Sequence, residues 1–229
     1  MSKNENHQEH HDQLENVHEA LTRSEQFIER NKNKLFVALL AVVLVVGGYF
    51  AFQHTYLQPK EREAEAAIFR AQHYFEVDSF KLALNGNAEF LGFEDIISEY
   101  GMTKTANLAT AYAGISYMRL GEYDKAIKYL KDFNAKDQMV SHVMVGAIGD
   151  CYVYMGNVNE GVKHFESAAN KADNNLISPL YLKKAGIALA SEKNYTGAVA
   201  MYEKIKNQYP TSAEAMDIDK YIEQSKLSK

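Results

Sequence analysis

The sequence predicts an all-α protein: a solenoid of helical hairpins preceded by one membrane-spanning helix. Three observations carry this expectation. Leu35 to Phe52 is an eighteen-residue apolar run without a single charge. Beyond it, small and aromatic residues recur in phase about 35 residues apart. No stretch alternates apolar and polar residues strictly, as a half-buried strand would.

The chain opens with residues 1–12, a polar stretch carrying His7, His10 and His11. A histidine cluster in a polar tail lacks the enclosing shells of a defined metal site, so the segment reads as solvated and disordered, with no metal or other cofactor expected. Residues 13–34 read as a cytoplasmic amphipathic helix, with Leu14, Val17, Leu21 and Ile28 near helical spacing. Two roles stay open for it: a contact element for cytoplasmic proteins, or a helix lying at the lipid surface.

Residues 35–52 follow as the membrane helix. Eighteen residues span about 27 Å, close to the hydrocarbon core of a bilayer. Each central Leu, Ile, Phe or Val favours insertion by about 0.3–0.6 kcal/mol. An uncleaved anchor is expected rather than a cleaved signal or a buried core helix, because 34 residues precede the run and no small-x-small site follows it. Arg30, Lys32 and Lys34 crowd its N-terminal edge while the first basic residue beyond is Lys60, which places the N-terminus in the cytoplasm. Gly47 and Ala51 form a small-xxx-small pair that suits helix packing in the membrane. Tyr49, Phe50, Phe52 and Tyr56 belong at the outer interface, and Pro59 is expected to end the segment.

Residues 53–229 form one soluble domain. Gly114, Tyr117, Gly121, Ala126 and Leu130 recur 35 residues later as Gly149, Tyr152, Gly156, Gly161 and Phe165. A further copy follows 37 residues on, with Gly186, Tyr195, Ala198 and Tyr202 in register. The pattern describes two helices: small residues where they approach, aromatic rings such as Phe165 and Tyr202 filling the space between them, and glycine at the turn. Tyr123 and Tyr195 are expected in that filling, and Val158, which replaces an aromatic, should loosen the middle copy. Tyr74, Phe80 and Ala83 suggest an earlier copy at a spacing of 43, with an insertion near Asn85 to Gly92. The repeats are placed at about 64–100, 107–140, 142–175 and 179–212. Thr211 with Glu214 reads as a capping box for a last helix over 213–224.

Net charge is −5, which argues against nucleic acid as a partner. Cys151 stands alone inside a first helix and reads as a buried thiol; no catalytic arrangement is visible, and the chain is expected not to be an enzyme. The inner faces of the first helices remain, offering Leu108, Ala111, Ile115, Met118 and Arg119, then Val143, Asp150, Val153 and Tyr154, then Leu180, Lys183 and Ile187. A mostly apolar surface suits an apolar helix or an unfolded segment of a protein partner. It is equally open that the chain's own first or last helix fills this groove.

These hairpins resemble the tetratricopeptide repeat, most closely over Asn107 to Pro210. With one N-terminal anchor, the layout also resembles the ancillary subunits of the bacterial Sec translocon of the YfgM type. That resemblance implies an inner-membrane adaptor without enzymatic activity, its C-terminal domain periplasmic. It also implies contacts to translocon subunits, to nascent chains and to periplasmic chaperones such as a membrane-anchored peptidyl-prolyl isomerase. Two alternatives are a structural scaffold for another secretion or division complex, and a metal-responsive sensor using the histidine tail.

Overall fold

The computed structural model describes residues 5–135 and 137–228, with side chains from residue 28 onward except that of 138. It divides into two compact units, Met1–Gln58 and Pro59–Lys229.

In the first unit, α1 runs over Glu5–Phe52 and passes into a π-helical turn, Gln53–Leu57. The chain is therefore helical from Glu5, where a disordered tail was expected, and the amphipathic segment and the apolar run are one helix. The side chains of His7, His10, His11, Leu14, Val17 and Leu21 lie outside the described residues. From Ile28 onward the helix is long and apolar enough to cross a membrane, and none of its apolar window is buried. The N–H of Gln58 bonds to the carbonyl of Gln53, five residues back. Pro59 does not end the segment: the helix continues through it from the π-helical turn into α2.

The second unit begins within α2 (Gln58–Glu76) and contains α3 (Phe80–Asn85), α4 (Phe93–Tyr100), α5 (Lys104–Arg119) and α6 (Tyr123–Asp132). It continues with α7 (Gln138–Tyr154), α8 (Val158–Ala172), α9 (Ile177–Ser191), α10 (Tyr195–Gln208) and α11 (Ile218–Leu227). Helices α5 and α6, α7 and α8, and α9 and α10 pair as hairpins, and each hairpin stacks on the next.

Four turns of identical design set the period. Asp78, Gly121, Gly156 and Lys193 all have positive φ, at 58°, 77°, 81° and 61°. At each, the following N–H reaches back five residues: Ser79 to Tyr74, Glu122 to Tyr117, Asn157 to Tyr152 and Asn194 to Leu189, at 2.8 to 2.9 Å. This is the Schellman closure, which satisfies carbonyls the helix end would otherwise leave orphaned. Only two of the four positions are glycine, so the hydrogen-bond pattern exposes the first and last turns where the sequence does not.

Helix spacing is set by the small residues. A Cβ on Gly114 would lie 2.8 Å from Leu130, one on Gly149 2.8 Å from Phe165, and one on Gly186 2.2 Å from Tyr202. Leu130, Phe165 and Tyr202 are all buried. Tyr123 and Tyr195 are only half-buried, and of the two Tyr123 packs against the core. Val158 is better buried than either, and the smaller side chain sits in the core of its hairpin.

Ahead of these three hairpins stands a first, α2 with α3 and α4, whose second helix is broken. It stops at Asn85, crosses a short loop closed by an isolated bridge between Asn87 and Phe90, and resumes as α4. Gly86 and Gly92 cross so tightly that a Cβ on Gly86 would lie 2.4 Å from the Gly92 nitrogen. Phe90 stacks on Tyr74 with ring centres 5.0 Å apart. Phe93 packs face to face on Tyr112 at 5.2 Å.

The first helices begin at Lys104, Gln138 and Ile177, two to four residues before the expected repeat starts. Local caps fix these starts: Thr103 Oγ1 accepts from the Ala106 N–H, Asp137 Oδ1 from Val140, and Asn174 Oδ1 from Leu176 and Ile177. The expected C-terminal helix over 213–224 is replaced by a 3-10 turn, Glu214–Met216, followed by α11. Ser212, rather than Thr211, accepts the capping bond, from the Ala215 N–H at 3.2 Å.

Glu61 ties α2 to the start of α5. Its carboxylate accepts the N–H of Lys104 at 2.8 Å, the N–H of Thr105 at 3.0 Å and the Thr105 hydroxyl at 2.8 Å. Burial acts to raise its pKa, and together these bonds outweigh it and hold the carboxyl below its ordinary value. A depressed carboxylate stabilises the fold above its unfolded pKa, and that contribution is lost as pH falls through the folded value. Glu61→Gln is expected to cost about 1 kcal/mol at pH 7 and to flatten the acid limb of the stability curve below about pH 4.5. Urea titrations of the full chain at several pH values check this, and an unchanged acid limb refutes the assignment.

Candidate protein-binding face

The repeat register puts three large apolar side chains at one level of the first helices. Leu108, Val143 and Leu180 stand 35 and 37 residues apart on α5, α7 and α9 and are 42%, 39% and 40% exposed. One turn earlier, Met139 of α7 and Leu176, the residue before α9, occupy equivalent positions and are more exposed still. Neither was singled out in the sequence, because Lys104 at the same position of α5 breaks the apolar row. At its α5 end the row borders a cavity of about 540 Å³ lined by Met102, Leu108, Phe133 and Val140. Asn107 clasps the neighbouring loop, donating to the Asn134 carbonyl at 3.0 Å and accepting the Asn134 N–H at 2.9 Å.

The next level holds Ile115, Asp150 and Ile187. Asp150 does not present a free charge: Lys184 Nζ of α9 lies 2.7 and 2.9 Å from its two oxygens. The same ammonium sits 5.5 Å over the Tyr181 ring and 5.8 Å over the Phe165 ring.

The other expected positions divide. Ala111 is buried, and Val153 points into its own hairpin, where its Cγ2 would lie 2.4 Å from a Cβ on Gly161. Ile115 and Met118 are half-buried against the core shared by the first hairpins. Arg119 is exposed. Tyr154 is exposed but stacks on Tyr123, ring centres 5.5 Å apart. Gly47 has open space around it, and the Ala51 carbonyl accepts the Thr55 hydroxyl at 2.7 Å.

At the α9 end the segment after the last hairpin borders this face, while Leu180 and Ile187 stay exposed. Leu180, Lys183 and Ile187 share a cavity of about 350 Å³ with Ala213, Glu214 and Asp217. Lys183 Nζ bonds Asp217 Oδ1 at 2.7 Å and lies 4.6 Å over the Tyr221 ring. That bond is the main reason the Asp217 carboxyl lies below its ordinary range.

Gly146 is a further residue that periodicity could not reveal, since its equivalents are Ala111 and Lys183. A Cβ there would fall 2.0 Å from the Tyr181 ring, whose hydroxyl donates to the Val143 carbonyl at 3.2 Å. It lets α9 close onto α7.

Cys151 is fully buried, and burial, helped by Asp150, pushes its thiol up to about 11. The thiolate is the reactive form. A water-soluble maleimide at pH 7 is therefore expected to leave Cys151 unmodified in the native chain and to label it fully in guanidinium, as read by mass spectrometry. Labelling of the native chain at a comparable rate contradicts this burial. Among the described residues no group of three His, Cys, Asp or Glu side chains is placed to hold a metal.

Among known proteins, no curated sequence matches the chain. The tetratricopeptide repeat family matches residues 112–137, within and just beyond the α5–α6 hairpin, and residues 181–212, covering most of the α9–α10 hairpin. The fold is accordingly a tetratricopeptide-repeat α-solenoid, preceded by one helix long and apolar enough to cross a membrane.

Proposed function

We propose that this chain is a non-enzymatic, membrane-anchored adaptor whose first-helix face receives an apolar helix or unfolded segment of a protein partner. One observation carries the reading: the in-phase row of Leu108, Val143 and Leu180, large apolar side chains that the fold leaves exposed. Isolated exposed apolar residues are ordinary, but a row spanning three hairpins offers a partner a continuous surface. Tetratricopeptide domains mediate protein contacts, which supports the adaptor role in general. At the α9 end Lys183 is held by Asp217 and Tyr221, while Leu180 stays as exposed as Leu108 and Val143.

The anchor reading rests on the wholly exposed apolar stretch of α1, whose side chains lack a protein core to enter. The basic residues before it favour a cytoplasmic N-terminus and a periplasmic C-terminal domain. Together with the repeats, this layout supports placement beside the Sec translocon in a bacterial inner membrane, passing secreted chains towards periplasmic chaperones. A photocrosslinker at Val143 in intact membranes should capture a translocon subunit, a periplasmic chaperone or a nascent chain. Recovery of cytoplasmic proteins alone overturns the reading, and capture of only division or secretion components redirects it to the scaffold alternative. A periplasm-dependent reporter fused after Lys229 should be active, and an inactive one refutes the orientation.

A further inference from the structure

The break in the second helix of the first hairpin opens a cleft away from the apolar row. It lies between α3, α4 and α6 over the C-terminal half of α5 and has a volume of about 530 Å³. Its charges are unequally satisfied. Glu122 is paired with Lys125 at 2.7 Å, and Lys125 Nζ also lies 4.9 Å over the Tyr117 ring. Glu94 accepts both the Tyr117 hydroxyl, at 2.5 Å, and the Tyr129 hydroxyl, at 3.0 Å, and both bonds fall on Oε1. Among the described residues, Lys81 and Lys128 have no ion-pair partner, and Glu94 Oε2 accepts no hydrogen bond. Both lysines are exposed at the rim. Leu84, Leu120 and the stacked rings of Tyr117 and Tyr129, 5.3 Å apart, give the cleft apolar lining.

This arrangement asks for three things of a ligand: negative charge for Lys81 and Lys128, an N–H donor for Glu94 Oε2, and an apolar group for the lining. A cation is opposed by the unpaired Lys81 and Lys128, and a polyphosphate leaves the apolar lining wet and Glu94 Oε2 without a donor. A small inorganic anion leaves the apolar lining wet and Oε2 without a donor. A polypeptide supplies all three, through a carboxylate side chain, a backbone amide and a neighbouring aliphatic side chain. We propose that this cleft binds an acidic peptide segment in which a carboxylate side chain stands beside an apolar one. The site is independent of the Leu108, Val143 and Leu180 face and would let one chain hold two partner segments at once.

The test uses the full chain in detergent micelles and a fluorescein-labelled, terminally blocked peptide, Glu-Leu-Asp-Leu-Glu, followed by fluorescence polarisation. Its uncharged twin, Gln-Leu-Asn-Leu-Gln, is the control. The acidic peptide should bind and the twin should not. Lys81→Glu combined with Lys128→Glu should weaken binding by about tenfold or more, and the milder Lys128→Gln by about threefold. Both lysines are exposed, so the helical content and melting of these variants should match the parent. Leu108→Glu should leave peptide binding unchanged. Absence of binding, equal binding of the twin, or unchanged binding in both lysine variants overturns the proposal. Loss of binding in Leu108→Glu moves the peptide to the first-helix face and overturns it too, as does displacement by an equal concentration of sodium phosphate.

Discussion

Gly186→Ala is expected to destabilise the chain by about 2–3 kcal/mol, measured by urea unfolding of the full chain in detergent. On an exposed helix the same change would stabilise by about 1 kcal/mol, because alanine is the better helix former. The sign is reversed by contact: the new Cβ would lie 2.2 Å from the Tyr202 ring. Tyr202 is 1% exposed, between α9 and the α11 residue Tyr221, so the ring cannot swing out without opening the last hairpin. Tyr202→Leu alone should also destabilise, by leaving a void. In the double variant the smaller side chain makes room for the methyl group, so the combined loss should be less than the sum of the two. Strict additivity would show that the ring and the glycine are not in contact.

Phe93→Ala should cost about 3–5 kcal/mol, the largest effect expected of any single truncation in the first hairpin. Phe93 is fully buried at the point where the broken second helix resumes, stacked on Tyr112 at 5.2 Å and edge-on to Phe75 at 6.3 Å. Repeat arrays lose structure locally, because each unit contacts only its neighbours. Hydrogen exchange of Phe93→Ala should therefore show α2, α3 and α4 losing protection first, while α9 and α10 keep theirs. Uniform loss along the chain would mean that the first hairpin and the last unfold as one cooperative block.

The hairpin period was legible because it is written in contacts that recur. Gly114, Gly149 and Gly186 face Leu130, Phe165 and Tyr202 across the same helix crossing, so each repeat advertises the pairing of the others. The turns were half legible: Gly121 and Gly156 announce positive φ, whereas Asp78 carries only the weak left-handed tendency of aspartate and Lys193 has no residue preference to mark it. Helix starts were missed by two to four residues because the aligned positions lie inside the helices, while Thr103, Asp137 and Asn174 set the ends by capping bonds of their own. The cleft around Glu94 was not legible, since it depends on a break that no other repeat shares.

The sequence by itself determined the all-α class, the apolar run of residues 35–52, the hairpin register and the row Leu108, Val143 and Leu180. These follow from local helix preference and from a period that places equivalent residues at equivalent crossings. Only the tertiary structure decided which first-helix residues remain available to a partner. Asp150 is neutralised by Lys184, Val153 is turned against Gly161, and Lys183 is covered by Asp217 and Tyr221. Each of those outcomes is set by a residue on another helix or beyond the last hairpin. Burial is a property of the packed neighbours, and a repeat pattern fixes where neighbours stand without fixing what they carry.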